Sequence, residues 1–295
     1  MLSRTIAAPT LAAVPADEQR ALDERGFVVL RGLFPPDAAR ALRAEVAALA
    51  RAAHGDDDPR RPLDCWEGVT RHAAFWPVIE HPPLVARLRA LVGPDVRYLH
   101  NSEVHAHNAG LLWHRDCIDQ RRGAGPDWDD GAARYRIVRA CIYLQTGQES
   151  GFRLGVVPGS HRAGRRTVAG WALDAAATAQ RRLRLRRGWD PRRRRLPQIT
   201  LAPGWRAPLV SARPHWIDVG LGDCVVIHQR LLHSASPVFG PQYALYLSYG
   251  PDDVHAARLL RFHRHEQPRR PHLPPAPALA RRLAAAGLLR AAEVP

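Results

Sequence analysis

From Val96 onward the chain breaks into short β-rich runs punctuated by glycine and proline. The candidate strands are Val96 to His105, Leu111 to His114, Tyr135 to Leu144, Arg153 to Val157, His215 to Val219, Asp223 to His228 and Ala244 to Tyr249. Helical patterns precede them. Ala16 to Leu22 reads as a short helix, Gly26 to Gly32 as a glycine-bounded strand, and His54 to Pro62 as a polar loop. Pro35-Pro36-Asp37 opens an amphipathic helix through Arg51, with Asp37 as its cap and Ala38, Leu42, Val46 and Leu49 at helical spacing. Leu84 to Leu91 reads as another helix, closed by Gly93-Pro94. Helices followed by many short strands predict a mainly β fold with supporting α-helices, a cupin-like jelly roll.

The organisation expected is one domain over residues 1–295, with helical support at 16–95 and the jelly-roll core at 96–250. Two insertions, 119–134 and the arginine-rich 163–213, interrupt the core, and long loops of this kind serve as lids or binding loops. Residues 274–295 start as a proline-rich linker and end as a short alanine-leucine helix.

Composition narrows the function classes. No run of eighteen apolar residues occurs, so no membrane span is expected, and Met1 to Pro15 does not read as a signal peptide. Cys65, Cys117, Cys141 and Cys224 form no CxxC pair, which fits a reducing cytoplasm. The net charge of +15 would ordinarily suggest a polyanionic partner. Here all 43 basic residues are arginine, as in a GC-rich bacterial genome. They pile up at Arg181 to Arg195 rather than forming a stripe with interleaved aromatics, so no nucleic-acid partner is expected.

The chemistry centres on Trp113-His114-Arg115-Asp116. Strand alternation would put His114 and Asp116 on one face, where both could reach one metal ion. A distant histidine follows a Gly-Asp turn and a β run, in Gly222-Asp-Cys-Val-Val-Ile-His-Gln-Arg-Leu-Leu-His233. Two imidazoles and one carboxylate compose the facial triad of non-haem iron(II) oxygenases. Spacing alone leaves His228 and His233 both open as the second imidazole. Asn101, His105 and His107 alternate ahead of the motif and would share a face, either lining the barrel or solvated. His255, His263, His265 and His272 lack carboxylate or cysteine partners at ligand spacing and read as a polar surface segment, and Cys117 as a packed neighbour.

These pieces resemble the phytanoyl-CoA dioxygenase family of iron(II)/2-oxoglutarate oxygenases. The matching segments are Gly26-Phe-Val-Val-Leu-Arg-Gly, Trp-His-Arg-Asp, Gly155-Val-Val-Pro-Gly-Ser-His161, Gly222-Asp through His233, and Ala244-Leu-Tyr-Leu-Ser, in the family's order. The resemblance implies a double-stranded β-helix with His114, Asp116 and His233 as iron ligands, and it selects His233 over His228. Three protein ligands leave three positions on octahedral iron for 2-oxoglutarate and O2. Asp116 then implies hydroxylation or another C–H oxidation, since a related halogenase would carry a small residue there. The Pro-Gly-Ser-His turn would shape the edge of the site.

The same resemblance makes Asn101 and His105 partners for 2-oxoglutarate or substrate, with a solvated face an equal account. It also exposes a departure. The family's arginine for the far carboxylate of 2-oxoglutarate falls at Gln242, so Arg139, Arg153 or Arg230 would have to replace it. Arg230 could equally be structural. The expected substrate is an anionic or carboxylate-bearing small molecule in a bacterial biosynthetic pathway, and nothing in the sequence sets the oligomeric state. A catalytically silent barrel acting as a binding protein is the alternative that Gln242 motivates.

Overall fold

A computed structural model describes residues 16–291, apart from 57, 59–60, 108–112, 132, 163–174, 176–213, 237, 239 and 266–273. Its elements are α1 (Ala16–Arg25), β1 (Phe27–Leu30), α2 (Pro36–His54), β2 (Leu63–Trp66), α3 (Gly68–Arg71), α4 (Trp76–Ile79), α5 (Pro82–Val92) and β3 (Val96–Ala106). Then follow β4 (Val138–Tyr143), α6 (Gly147–Ser150), β5 (Arg153–Val156), β6 (His215–Asp218), β7 (Cys224–His228), β8 (His233–Ala235), β9 (Tyr243–Pro251), α7 (Val254–His265) and α8 (Pro277–Ala285).

A six-stranded sheet in the order β1-β7-β4-β9-β3-β2 faces a three-stranded sheet in the order β6-β5-β8, and every pairing is antiparallel. Alternation splits the large sheet's residues between two cores. Cys141, Tyr143, Val225, Ile227 and Ala244 point between the sheets, where Phe152, Leu154, Val156 and Ile217 meet them. Ala140, Ile142, Cys224, Val226, Leu245 and Leu247 point the other way, onto a helical layer that includes Val46, Leu84 and Leu88. Both faces are covered, so β4 and β7 are buried throughout and are mostly apolar, with Arg139 and His228 as the exceptions. The expected jelly roll supported by helices is what forms.

Several local expectations need correction. Asp37 does not cap α2. Pro35 occupies the N-cap without a side-chain hydrogen bond, and Asp37 lies in the first turn, where a negative charge suits the helix dipole. Ala38 is exposed, and the buried stripe is Ala39, Val46 and Ala50 with Leu42 and Leu49 alongside, one position round from the expected face. Insertion 119–134 is not a free loop. Asp119 and Asp127 hold Arg258 of α7 at 2.9 and 2.5 Å, and Trp128 is buried beneath Arg115 and Arg230. Of the histidines of the supposed surface segment, His255, His263 and His265 lie on α7, with His255 and His263 buried, and His272 falls outside the described residues. The 163–213 lid falls outside the described residues except for Ala175. No helix among the described residues is long and apolar enough to cross a membrane.

The Gly222-Asp223 turn shows why its residues are those types. Gly222 sits at φ +82°, and a Cβ there would lie 2.1 Å from the Phe34 carbonyl oxygen. Asp223 accepts hydrogen bonds from the Gly32 and Gly220 amides at 2.8 and 2.7 Å and pairs with Arg31. The turn thereby sets the start of β7 and, through it, the path to His233.

Candidate metal centre

The described part of the His-x-Asp segment is not a regular strand. His114 forms an isolated antiparallel bridge with His233, each amide donating to the other's carbonyl at 3.0 Å. The Asp116 and Cys117 amides both donate to the Gln229 carbonyl, at 2.9 and 3.2 Å. Backbone pairing to 229–233, rather than membership of a long strand, brings the carboxylate and both imidazoles together.

Ligating atoms of His114, Asp116 and His233 lie within 4.8 Å of one another. His114 Nε2 is 3.6 Å from Asp116 Oδ1, and His233 Nε2 is 3.8 Å from Asp116 Oδ2. His233 Nδ1 lies 2.9 Å from the Leu231 carbonyl, which can only accept, so Nδ1 carries the proton and Nε2 keeps its lone pair. Burial, reinforced by the neighbouring His114, pulls the His233 pKa down to about 4, so the ring is neutral at pH 7. Burial pushes Asp116 upward, but the fields of Arg139, His233 and His114 outweigh it and hold the carboxyl below its usual range. Its Oδ2 is buried without a hydrogen-bond partner.

His228, five residues earlier, is placed otherwise. β7 ends there, and the chain turns into β8 of the other sheet, so one continuous strand does not link the two histidines. The His228 ring accepts from the Arg230 amide at Nδ1 and donates to the Tyr135 carbonyl from Nε2. It lies against Tyr135 and His161, and the chain itself uses both nitrogens. Burial, with His161 and Arg230 nearby, drives its pKa well below the usual value.

Around the triad, the interior of the large sheet carries an ionic cluster. Arg139 of β4 is buried, with Nη2 3.1 Å from Glu103 and Nη1 3.6 Å from Asp116, and its guanidinium lies over the Tyr246 ring. His105 Nε2 is 2.9 Å from Glu103 and 3.3 Å from Asp64. Burial alone would lower the His105 pKa, but these two carboxylates raise it to about 9. Asn101 is buried with its Oδ1 unpartnered, and Gln242 is fully buried with both amide atoms unpartnered. His107 does not share the face of His105, because φ +56° turns it out of alternation and onto Tyr243 in the helix-side core.

The three candidate arginines separate. Arg139 enters the site. Arg153 pairs with Asp218 while its neighbour Leu154 points between the sheets, so Arg153 faces outward. Arg230 is buried but bound to Asp130 at 2.7 Å and to the Asp127 carbonyl, a structural use. Cys117 packs with Leu99, Tyr135 and Ile137 as expected. Glu103 and Gln229 escaped the sequence reading. Glu103 carried a signal, because it alternates with Asn101 and His105; Gln229 acts through its backbone carbonyl, which leaves no trace in residue type.

The sequence model of the phytanoyl-CoA dioxygenase family matches residues 22–243. The chain belongs to that family. An ectoine dioxygenase from Nocardia farcinica is 28% identical over 161 residues, which are 50% of this chain and 52% of that protein. The chain thus spans about half the length of the curated relative it matches. Among solved structures, the non-haem α-ketoglutarate-dependent carbocyclase SnoK of nogalamycin biosynthesis aligns with a TM-score of 0.55 at 17% identity, covering 84% of this chain and 88% of that one. HygX from Streptomyces hygroscopicus, with nickel and 2-oxoglutarate bound, aligns with a TM-score of 0.54 at 19% identity, covering 81% and 88%. At such identities the two structures establish a shared fold, a double-stranded β-helix.

Proposed function

We propose that this family member is a cytoplasmic iron(II)/2-oxoglutarate-dependent dioxygenase that oxidises a C–H bond of a small molecule in a bacterial biosynthetic pathway. The family depends on iron(II) and 2-oxoglutarate and uses O2. The observation that carries the reading is the triad: two imidazoles and a carboxylate within 4.8 Å, with His233 Nε2 free and Asp116 Oδ2 buried and unpartnered. A borderline divalent cation fits this donor set. His114, Asp116 and His233 would hold iron, and the bound iron would supply the oxidant for hydrogen abstraction.

The chain's own residues do the rest. Leu231 fixes the His233 tautomer, and the Gln229 carbonyl fixes the Asp116 backbone. Arg139, the interior arginine, takes the far carboxylate of 2-oxoglutarate in place of the family's arginine, where Gln242 now stands. The unpartnered Nε2 of Gln242 offers a hydrogen bond to the same cosubstrate, the unpartnered Oδ1 of Asn101 would accept one from substrate, and the cation of His105 adds charge on that side. Tyr246 and Tyr143 line the interior that excludes water. The substrate would be an anionic or carboxylate-bearing small molecule.

Anaerobic iron(II) titration followed by succinate release from 2-oxoglutarate tests this. One iron per chain and turnover are expected. Gln242 favours a second reading, a silent binding barrel, because a neutral amide replaces a charge there. No turnover with any 2-oxo acid in the wild type, with turnover restored by Gln242→Arg, would select that reading.

A further inference from the structure

Resting on the iron reading above, we propose that Glu103 is a positioning residue that keeps Arg139 from capturing the metal carboxylate. Arg139 of β4 and Glu103 of β3 flank β9, with Tyr246 between them as the platform under the guanidinium. Two carboxylates compete for this one buried cation. The Glu103 contact is at hydrogen-bond distance, 3.1 Å, while the Asp116 contact is 3.6 Å, and Asp116 Oδ2 has no hydrogen-bond partner. Unrestrained, a guanidinium beside a carboxylate settles into a bidentate pair that occupies both oxygens. Such a pair would take from Asp116 the lone pairs a cation needs. Glu103 draws the guanidinium the other way, and His105, 2.9 Å from the same Glu103 oxygen, steadies that carboxylate from behind, with Asp64 beyond it.

The role predicts a specific pattern in metal affinity. Mn(II) titration followed by the EPR signal of free Mn(II) needs no turnover. Glu103→Gln frees Arg139 to fall onto Asp116 and should weaken Mn(II) binding about 10–100-fold, the usual cost of losing an outer-shell partner. Glu103→Gln combined with Arg139→Gln removes the competitor and should recover most of that loss. A general packing defect would instead make the double variant worse. Arg139→Gln alone should bind Mn(II) at least as tightly as the wild type, and it decides the matter if Glu103→Gln does not fold. Wild-type affinity in Glu103→Gln, no recovery in the double variant, or weaker binding in Arg139→Gln would each overturn the proposal. His233→Ala serves as the control. If it retains wild-type Mn(II) affinity, the metal reading fails, an outcome distinct from the failure of Glu103.

Discussion

His233 and His228 stand five residues apart on different sheets, His228 at the end of β7 in the large sheet and His233 at the start of β8 in the small one, and their surroundings differ in kind. Around His228 the chain satisfies every polar atom of the ring, with the Arg230 amide on one nitrogen and the Tyr135 carbonyl on the other. Around His233 the chain hydrogen-bonds Nδ1 only, and Nε2 faces the Asp116 carboxylate, whose Oδ2 is buried without a hydrogen-bond partner, as are both amide atoms of the buried Gln242. Unpaired polar atoms are costly when buried, so a group of them marks a place meant for something else. Burial pulls both rings down, His233 to about 4, and the neighbour that titrates the other way is His105. His105, on the interior side, is pushed up to about 9 by Asp64 and Glu103, whereas His228, packed against His161 and Arg230, is pushed well down.

The sharpest way to break this contrast is to remove each histidine in turn. His233→Ala should lower iron(II) affinity by more than the roughly 100-fold upper range of an outer-shell loss. Anaerobic titration reads it, and unchanged stoichiometry would remove His233 from the site. The same titration on His228→Ala should leave iron bound.

A pH series sharpens the contrast. The folded pKa of His105 lies above its unfolded value, so its contribution is complete below pH 6.5 and disappears as pH rises through about 9. That contribution is about 3 kcal/mol at the acid end. His228 has the opposite sign: its contribution is present above pH 6.5 and is lost as pH falls further. Urea unfolding from pH 5 to 9.5 should therefore show the gap between wild type and His105→Asn closing toward alkaline pH. The gap for His228→Asn should close toward acid, and parallel gaps for both variants would contradict the assignment.

At neutral pH, His228→Ala should destabilise the fold by about 2 kcal/mol, from a lost buried ring and two hydrogen bonds. A shift in the urea midpoint with unchanged iron binding would show a structural histidine.

The smallest effect expected is on the cosubstrate. With Arg139 already on the far carboxylate, Gln242→Arg should change 2-oxoglutarate affinity by less than about threefold, short of the roughly tenfold gain that the 1–2 kcal/mol or so between charged and neutral hydrogen bonds would give. Isothermal titration with the metal-loaded protein reads it. A tightening of about tenfold would mean that Arg139 does not hold the far carboxylate.

Residue types alone carried much of this molecule. The β-rich runs at Tyr135 to Leu144 and Asp223 to His228, the Gly222-Asp223 turn and the helical pattern before Pro94 are local, and each holds the element it predicted, with the strands trimmed to 138–143 and 224–228. The candidate triad was legible because two imidazoles and a carboxylate are the types a metal would demand, the family resemblance picked His233, and the fold brings the three together. What only the tertiary structure decided is where chains meet. The sequence cannot tell that residues 113–116 pair with 229–233 instead of extending a strand. It also cannot tell that a positive φ swings His107 out of the alternation that keeps His105 inside. Nor can it sort Arg139 from Arg153 and Arg230, because strand phase is known only once each strand has partners on both sides. The pairing of Arg139 with Glu103 joins residues 36 positions apart in the chain across an intervening strand. Such a contact is set by the order of strands in a sheet, and that order is a property of the packed whole.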